Sequence, residues 1–248
     1  MKSNVIILTS GISGSSVLAG LISRAGYWLG EKTEKVEYET FENSSLVRLN
    51  IELLRNTDYL WRDIADIPCP SIEKISALYE NVELNTFNRF VIQCDKHTPW
   101  LWKDPRLSYT IFFWKRLIDV SRCKFILMSR NPIQTWTGII LRGKMGMPFN
   151  KLKIIQDNCD MSAKLFFQES KVECLNVDFD DLILMPDNMI EKLNDFLGTE
   201  LKLEDLKSIY NGPLYHKRWS KFDYAKATLK FLYYKYLLRS IIEFPRDV

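Results

Sequence analysis

Several features that mark particular classes of protein are missing from this sequence. No apolar run approaches the roughly 18 residues that a membrane-spanning helix requires, and the first predicted strand begins so close to Met1 that a signal peptide has no room. The five cysteines are odd in number and include no C-x-x-C pair, which predicts neither a disulfide framework nor a zinc site. We therefore expect a cytoplasmic protein with reduced core cysteines and no membrane span.

An excess of charge of one sign is also missing. Basic residues number 34 and acidic residues 31, for a formal net charge of +3. Domains that bind nucleic acid usually have a larger basic excess, so no nucleic-acid partner is expected. A local basic pocket for a small anion remains compatible with this balance. The length of 248 residues, with 46% hydrophobic and 26% charged residues, predicts a single α/β domain over residues 1–248.

The most informative stretch is T-S-G-I-S-G-S-S, residues 9–16. It follows an apolar run at residues 5–8, typical of a buried strand in a parallel sheet, and precedes helical spacing at residues 17–22. A small-residue turn between strand and helix gathers unpaired backbone N–H groups at a helix N-terminus, and such a turn suits a phosphate. An ordinary glycine- and serine-rich turn without a ligand is the alternative interpretation.

This loop departs from the nucleotide-triphosphatase motif G-x-x-x-x-G-K-[ST]. In that motif the lysine reaches the terminal phosphates and the following hydroxyl holds magnesium. Here Gly14 is followed by Ser15 and Ser16, so that a serine stands where the lysine should be. The sequence therefore favours phosphate binding and argues against a magnesium-dependent kinase or hydrolase.

A second informative stretch is W-L-W-K-D-P-R-L, residues 100–107. Pro105 disfavours helical backbone at Asp104 and can open the helix that follows. Lys103 and Arg106 are then fixed near a strand end and a helix start, where open α/β sheets bind ligands. A surface turn with a salt bridge is the alternative.

A third stretch combines a strong buried-strand pattern at residues 124–129 with R-N-P at its carboxyl end. Pro132 suits the first turn of a helix that runs to about Arg142. The guanidinium of Arg130 offers two fixed donors to a phosphate, which makes arginine better suited to this role than lysine. A purely structural arginine is the other interpretation.

Together these stretches resemble the sulfotransferases that use 3′-phosphoadenosine 5′-phosphosulfate (PAPS), especially bacterial sulfotransferase-family proteins. The first signature of that family, [RK]-S-G-[TS]-[TS], is matched from Ser13 onward; K-D-P-R-L and R-N-P match later family patterns. The resemblance implies a P-loop-type three-layer α/β/α fold with a central parallel sheet and added helices. It implies transfer of a sulfuryl group from PAPS to an acceptor hydroxyl or amine, with 3′-phosphoadenosine 5′-phosphate (PAP) as product and no metal required.

The resemblance also implies roles for particular residues. Lys103 would stabilise charge on the sulfuryl group with support from Arg106. Glu42 is the first candidate for the base, ahead of His97 and Asp104. An equal alternative for Glu42 is that it only favours the dipole of a helix that Asn43 or Ser44 caps. A late basic segment would close over the phosphates, although a solvated charge cluster is an equal alternative there. The residues expected to bind the cofactor are Gly11, Ser13, Gly14, Ser15, Ser16, Arg130, Thr137, Lys217 and Arg218.

Two positions depart from the family pattern. Ile12 replaces the basic residue of the first signature, and Gly138 replaces a serine that binds the 3′-phosphate. Thr137, Thr135 or Arg142 could compensate for the missing serine. These departures leave a second hypothesis open, a catalytically weak or inactive member of the fold that binds a nucleotide or a partner. A nucleotide or small-molecule kinase is the third hypothesis.

Residues 31–90 are polar and aromatic, and we expect them to form a helical lid or an acceptor-side insertion. They carry no readable code for an acceptor, which is expected to be a small molecule, a carbohydrate or a lipid. The acidic run at residues 178–181 is interpreted as helix capping and not as a metal site. Apolar spacing predicts further elements: a strand at 90–94, helices at 46–54, 150–170 and 221–244, and core positions Met161, Leu165 and Phe166.

Overall fold

A computed structural model describes residues 2–35, 38–57, 71–143, 147–211 and 218–237. Its strands are β1 (Asn4–Thr9), β2 (Thr33–Lys35), β3 (Glu39–Asn43), β4 (Leu101–Lys103), β5 (Cys123–Ser129) and β6 (Cys174–Asp178). Its helices are α1 (Ser15–Ser23), α2 (Ser44–Arg55), α3 (Ile72–Asn81), α4 (Asn85–Asp95), α5 (Leu107–Trp114), α6 (Pro132–Leu141), α7 (Phe149–Ser170), α8 (Phe179–Leu184), α9 (Pro186–Leu197), α10 (Leu203–Ile209) and α11 (Lys221–Leu237).

The central sheet has four parallel strands in the order β4–β1–β5–β6. Every residue of β1 is buried, and alternate side chains point to opposite faces. Ile6 and Leu8 lie in one hydrophobic cluster, whereas Val5 and Ile7 lie in the other. Each fully buried aliphatic side chain of this kind contributes about 1.5–3 kcal/mol. The unbroken apolar run of β1 is thus explained by burial on both faces of the sheet.

Helices cover both faces. The face that holds Ile6 packs on α2, α3, α4, α5 and α7 through a core rich in aromatic rings, among them Trp102 and Trp114 at a centroid distance of 5.1 Å. The opposite face packs on α1, α8, α9 and α10. Helices α6 and α11 share a smaller cluster around Trp136. The predicted three-layer α/β/α fold class is confirmed.

Several predicted local details agree with the structure. Asn43 caps α2 by accepting hydrogen bonds from the backbone N–H groups of Ser45 and Leu46. Asp178 caps α8 by accepting from the backbone N–H of Asp180 at 2.8 Å, so capping is the correct interpretation of the acidic run. Within the described ranges, no group of three or more His, Cys, Asp or Glu residues could hold a metal ion.

Two predictions of local structure are wrong. Residues 90–94 lie in helix α4 and not in a strand, because the buried side chains Phe87, Phe90, Val91 and Cys94 recur at helical spacing while Ile92 is 56% exposed. The apolar trio at 90–92 hid that periodicity.

In α7 the predicted core includes Phe166 correctly, but Met161 and Leu165 are exposed, at 62% and 37%. The buried face of this helix consists of Phe166 and five positions that were not predicted, Leu152, Gln156, Cys159, Ser162 and Ala163.

The region predicted as a lid contains the antiparallel pair β2–β3 and helices α2 to α4. Residues 58–70 of this region, Cys69 included, lie outside the described residues. The role of this region as a lid or insertion and the single-domain organisation stay predictions. The helix predicted at 221–244 begins as expected, at Lys221, and is described to Leu237.

The four cysteines in the described ranges are free. Cys94, Cys123 and Cys159 are buried, as predicted, whereas Cys174 is half-buried. Burial raises the pKa of the Cys94 and Cys123 thiols to about 12, so these side chains stay protonated and act as core residues. No helix in the part of the chain that the structure describes is long and apolar enough to cross a bilayer.

Candidate functional site

The three stretches singled out in the sequence meet at one edge of the sheet. β1 pairs in parallel with β4 on one side and β5 on the other, with Ile7 opposite Lys103 and Thr9 opposite Met128. The loop after β1, the end of β4 and Arg130 after β5 therefore lie at the carboxyl ends of three adjacent strands. Open α/β sheets bind their ligands at this edge.

The loop after β1 has an unusual backbone. Gly11, Ile12 and Gly14 have φ values of 75°, 53° and 85°. Glycine tolerates this left-handed region, but a β-branched residue such as Ile12 is strained there. In the described part of the chain, no backbone N–H from residue 12 to residue 16 is paired with an acceptor. The loop thus presents a cluster of donors at the N-terminus of α1, as its sequence predicted.

Both glycines of the loop are held close to other elements. A Cβ on Gly11 would lie 3.3 Å from Cγ of Pro105, and a Cβ on Gly14 would lie 2.0 Å from Cδ2 of Phe179. Real Cβ atoms do not approach a ring carbon so closely, so a side chain at position 14 would displace Phe179. The loop is packed between the K-D-P-R turn on one side and the start of α8 on the other.

The predicted serines of this loop divide into two groups. Ser13 is fully buried, and its Oγ is hydrogen-bonded to Oγ1 of Thr9 at 2.5 Å, so this hydroxyl braces the loop from within. Ser15 is also buried, at 3% exposure. Ser16 differs, because its Oγ accepts a hydrogen bond from Nζ of Lys103 at 3.3 Å. The first predicted signature is therefore in direct contact with the second.

Lys103 is the centre of a polar cluster that joins three elements. Its Nζ lies 2.5 Å from Oε1 of Glu42, 3.3 Å from Oγ of Ser16 and 3.3 Å from the carbonyl oxygen of Thr40. The side chains of Lys103 and Glu42 are only 3% and 15% exposed. The three ammonium protons thus each have an acceptor, and the predicted catalytic lysine and base form an ion pair.

The surroundings act on Glu42 in opposite directions. Burial raises the pKa of the Glu42 carboxyl above its ordinary value, and the neighbouring positive charge of Lys103 opposes that rise. Asp104 adds to the increase in this pKa, whereas Arg106 lowers it. A carboxyl with a raised pKa next to a cation suits a group that accepts a proton.

Arg106 and Asp104, the predicted support and one alternative base, form a buried network of their own. Asp104 is fully buried and accepts hydrogen bonds from the backbone N–H and the Nη1 of Arg106, at 3.0 and 2.9 Å. Its other carboxylate oxygen accepts from Nδ2 of Asn50 at 2.8 Å. This network fixes the turn that carries Lys103.

His97, the remaining alternative base, lies elsewhere. Its ring stacks on Trp28 at 4.6 Å and is hydrogen-bonded to Gln93 at 3.3 Å. Trp28 pairs with Trp100, the residue before β4 begins, so His97 lies near the amino-terminal edge of the sheet. The structure does not bring it to Lys103.

Arg130 is buried at the carboxyl end of β5, with 8% exposure. Its guanidinium carbon lies 4.6 Å from the ring centroid of Phe179, the ring that also packs against Gly14. Burial lowers the pKa of Arg130, the charge of Asp180 opposes this change, and the positive charge of Arg142 adds to it. Phe179 is thus close to both predicted phosphate-binding positions. It was not predicted as a site residue, although its place directly after β6, the strand beside β5, could have indicated that it lies at this edge of the sheet.

Position 138, where the resemblance predicts a serine, lies against a residue from a distant part of the chain. A Cβ on Gly138 would lie 2.9 Å from Nε1 of Trp219. The backbone of Trp219 is fixed to α6 by two hydrogen bonds with the side chain of Gln134, at 2.7 and 2.9 Å. Trp219 was not predicted, and no local sequence signal could have found it.

Several polar atoms of Arg130, of α6 and of the residue packed against α6 are buried without a hydrogen-bond partner. They are Nε of Arg130, Oγ1 of the predicted Thr137 and Nε1 of Trp219, each unpaired within the described ranges. Thr135, the other hydroxyl considered, is instead paired, because its Oγ1 donates to the carbonyl oxygen of Asn131 at 3.2 Å. Buried donors of this kind are rare in native proteins and call for an acceptor.

The late basic segment is described only from residue 218 onward, so Lys217 lies outside the described residues. Nε of Arg218 lies 3.6 Å from Oδ2 of Asp180, and the Arg218 side chain is 61% exposed. Asp180 also acts on the pKa of Arg130. Arg218 and Arg130 are therefore neighbours of the same carboxylate.

No family model matches the sequence, and no curated protein matches it. Among solved structures, the sulfotransferase domain of the Synechococcus PCC 7002 olefin synthase superposes with a TM-score of 0.50 over 94% of both chains, at 17% identity. The sulfotransferase STF9 from Mycobacterium avium has a TM-score of 0.47 over 94% of this chain and 76% of its own, at 11% identity. The first of these likenesses shows that the chain has a sulfotransferase-like fold.

Proposed function

We propose that this protein transfers a sulfuryl group from PAPS to a hydroxyl or amine of a small-molecule, carbohydrate or lipid acceptor. The observation that carries the proposal is the alignment of three donor groups along one sheet edge: the loop at residues 11–16, Lys103 and Arg130. A doubly phosphorylated nucleotide offers anions at two separated positions, and the loop and Arg130 are both close to one aromatic ring, Phe179. The prediction of a cytoplasmic location accompanies this proposal.

The residues present fit such a nucleotide. The unpaired amides of the loop suit the 5′-phosphosulfate. Gly11 and Gly14 have no side chains, so the loop backbone can lie close to Pro105 and Phe179. Arg130, a buried cation whose Nε has no acceptor in the described ranges, suits the 3′-phosphate. The residues that would hold the nucleotide are Gly11, Ser13, Gly14, Ser15, Ser16, Arg130, Thr137, Lys217 and Arg218, with Ser13 acting through the loop backbone.

PAPS, when bound, supplies a sulfuryl group attached to a phosphate that leaves readily. Lys103 provides positive charge where the negative charge of the transferring group develops. Such electrostatic stabilisation of the transition state is usually the largest single contribution to catalysis. Glu42, Ser16 and the carbonyl of Thr40 hold its ammonium group in one orientation. Arg106 supports this arrangement by fixing Asp104 and the turn. Because these cations provide the charge, we propose no metal requirement.

Glu42 is the proposed base. Its Oε1 is engaged by Lys103, whereas its Oε2 accepts no hydrogen bond from the residues that the structure describes. This second oxygen can take the proton of the acceptor while the first continues to orient Lys103. The raised pKa of the carboxyl makes it a stronger base than an ordinary exposed glutamate.

A catalytically weak or inactive nucleotide binder is the second candidate. It is favoured by one observation, the isoleucine at position 12, whose side chain is apolar and 52% exposed where the resemblance expects a cation. Such a protein would bind the nucleotide at the same edge without transfer.

Two measurements separate these candidates. Calorimetric titration with PAP in the absence of magnesium should give micromolar binding for either one, whereas binding of magnesium-ATP alone would indicate a kinase and contradict both. Incubation with isotope-labelled PAPS and a mixed panel of hydroxyl and amine acceptors should then give a labelled product. Nucleotide binding without transfer to any acceptor class would favour the inactive binder.

A further inference from the structure

The contact between Gly138 and Trp219 has a chemical consequence. A side chain at position 138 would have to occupy the space that Nε1 of Trp219 now fills, since its Cβ would lie only 2.9 Å from that atom. Gly138 therefore does more than remove a hydroxyl from α6. It admits an indole N–H, which is a hydrogen-bond donor, to the same place.

We propose that the indole N–H of Trp219 is a donor to the anion that Arg130 binds, and that Gly138 is the residue that makes room for it. This inference rests on the proposed function and assigns to Trp219 the recognition of the 3′-phosphate in place of a serine hydroxyl. Trp219 would therefore be a determinant of specificity for nucleotides that carry a 3′-phosphate.

The unpaired donors support this assignment. Nε of Arg130 and Nε1 of Trp219 are both shielded from water, and neither has an acceptor within the described ranges. Arg130 is more than nine-tenths buried. An unsatisfied buried donor costs about 1–3 kcal/mol, and one bound oxyanion with several acceptor atoms removes that cost at more than one donor. Arg142 adds a second positive charge close enough to lower the pKa of Arg130.

The backbone of Trp219 is positioned for such a role. Its N–H donates to Oε1 of Gln134 at 2.7 Å, and its carbonyl oxygen accepts from Nε2 of Gln134 at 2.9 Å. These two bonds fix the backbone of residue 219 to Gln134, which lies one helical turn before Gly138 in α6. An indole N–H can only donate, which suits an ionised phosphate with acceptor oxygens throughout.

Trp219→Phe tests the proposal because it keeps an aromatic ring and removes the donor. Isothermal titration calorimetry would compare PAP with adenosine 5′-phosphate, which lacks the 3′-phosphate. Because the lost hydrogen bond would go to a charged group, PAP affinity should fall by about 10- to 100-fold. The affinity for adenosine 5′-phosphate should stay within about twofold of the wild type, because this nucleotide has no 3′-phosphate to accept the bond. Trp28→Phe, which alters a ring at the opposite edge of the sheet, is the matched control and should change neither affinity.

A rescue variant separates the donor from the packing of the ring. Gly138→Ser added to Trp219→Phe places a hydroxyl where the indole nitrogen was, and it should restore part of the lost PAP affinity. In a protein with ¹⁵N-labelled indoles, the Nε1–H signal that disappears in Trp219→Phe should shift when PAP is added to the wild type, but not with adenosine 5′-phosphate. Equal thermal unfolding midpoints of the variants without ligand would show that they are folded.

The outcomes are distinguishable. An unchanged PAP affinity in Trp219→Phe, or an equal loss for both nucleotides, would overturn the role of Trp219 and leave the proposed function intact. A wild-type protein that does not bind PAP would overturn the proposed function and this inference with it. Selective loss of PAP binding, with rescue by the serine, supports both.

Discussion

The two ends of the candidate site differ in how their polar atoms are paired. At the lysine end, which consists of Lys103, Glu42, Ser16 and Thr40, every ammonium proton has an acceptor. At the arginine end, which consists of Arg130, Thr137 and Trp219, buried donors have no partner within the described ranges. One end is thus already organised without a ligand, whereas the other would gain hydrogen bonds from the proposed ligand.

This difference separates the expected roles of the two ends. A charge that is fixed before the substrate binds needs little reorganisation during the reaction, which is the condition for electrostatic catalysis. Donors that are unpaired in the free protein add the most to binding, because each new bond also removes a desolvation penalty. We therefore expect changes at the lysine end to affect turnover and stability, and changes at the arginine end to affect affinity.

The largest expected effect comes from Lys103→Met. We predict a fall in kcat of about 10³-fold, with PAP affinity within a few-fold of the wild type. Stability should also fall, by about 3 kcal/mol, because Glu42 stays buried without its cation. Turnover of labelled PAPS and denaturant unfolding measure the two effects.

The double variant Lys103→Met with Glu42→Gln is the control for this prediction. It removes the uncompensated carboxylate, so it should recover most of the lost stability but none of the lost turnover. An unchanged kcat in Lys103→Met would remove the lysine from the mechanism.

The second prediction concerns Arg130→Met, which keeps the contact with Phe179 and removes the charge. PAP affinity should fall by about 100-fold, as expected when a charged, bidentate phosphate contact is lost. The free energy of unfolding without ligand should stay the same or rise, because the variant removes a buried cation whose Nε has no acceptor in the described ranges. A loss of stability as large as that of Lys103→Met would contradict the contrast between the two ends.

The third prediction compares two glycines with nearly equal backbone angles. Gly14 and Gly26 have φ values of 85° and 86°, but a Cβ meets Phe179 only at Gly14 and meets nothing within 4 Å at Gly26. Gly26→Ala should cost about 1–2 kcal/mol from the backbone alone. Gly14→Ala should cost more and should weaken nucleotide binding, because it displaces the Phe179 ring, which is close to both the loop and Arg130. Equal unfolding free energies of the two variants would show that the contact with Phe179 is unimportant.

The smallest expected effect is a displaced pH profile. Only the ionised Glu42 can accept a proton, so kcat should fall as the pH drops below the pKa of this carboxyl. Burial raises that pKa, so the fall should occur at a higher pH than for an ordinary exposed glutamate. Glu42→Gln should lower kcat and abolish this acidic limb, as measured by kcat between about pH 4 and pH 8. An acidic limb that persists in Glu42→Gln would assign it to another group.

The fold was predictable because its signals are local. The apolar run of β1, the turn at residues 9–16 and the proline that opens α6 each specify their own structure within a few residues. Where the local signal was ambiguous, as at residues 90–94, the prediction was wrong, since a short apolar run fits a strand and a helix equally.

The candidate site was predictable only in part. Lys103, Glu42 and Arg130 each stood out singly, but the sequence did not predict that Glu42 and Lys103, 61 residues apart, form an ion pair. The contact of Trp219 with α6 also joins residues far apart in the sequence, because its hydrogen-bond partner Gln134 lies 85 residues earlier. Such pairings depend on the packing of the whole chain, which no local pattern encodes.

The most direct test of the central claim is a crystal structure of the protein grown with PAP and without magnesium. We expect the 5′-phosphate against the amides of residues 11–16 and the 3′-phosphate against the guanidinium of Arg130, with the lysine end unchanged. A nucleotide bound at another place, or one whose 3′-phosphate points away from Arg130, would contradict the account.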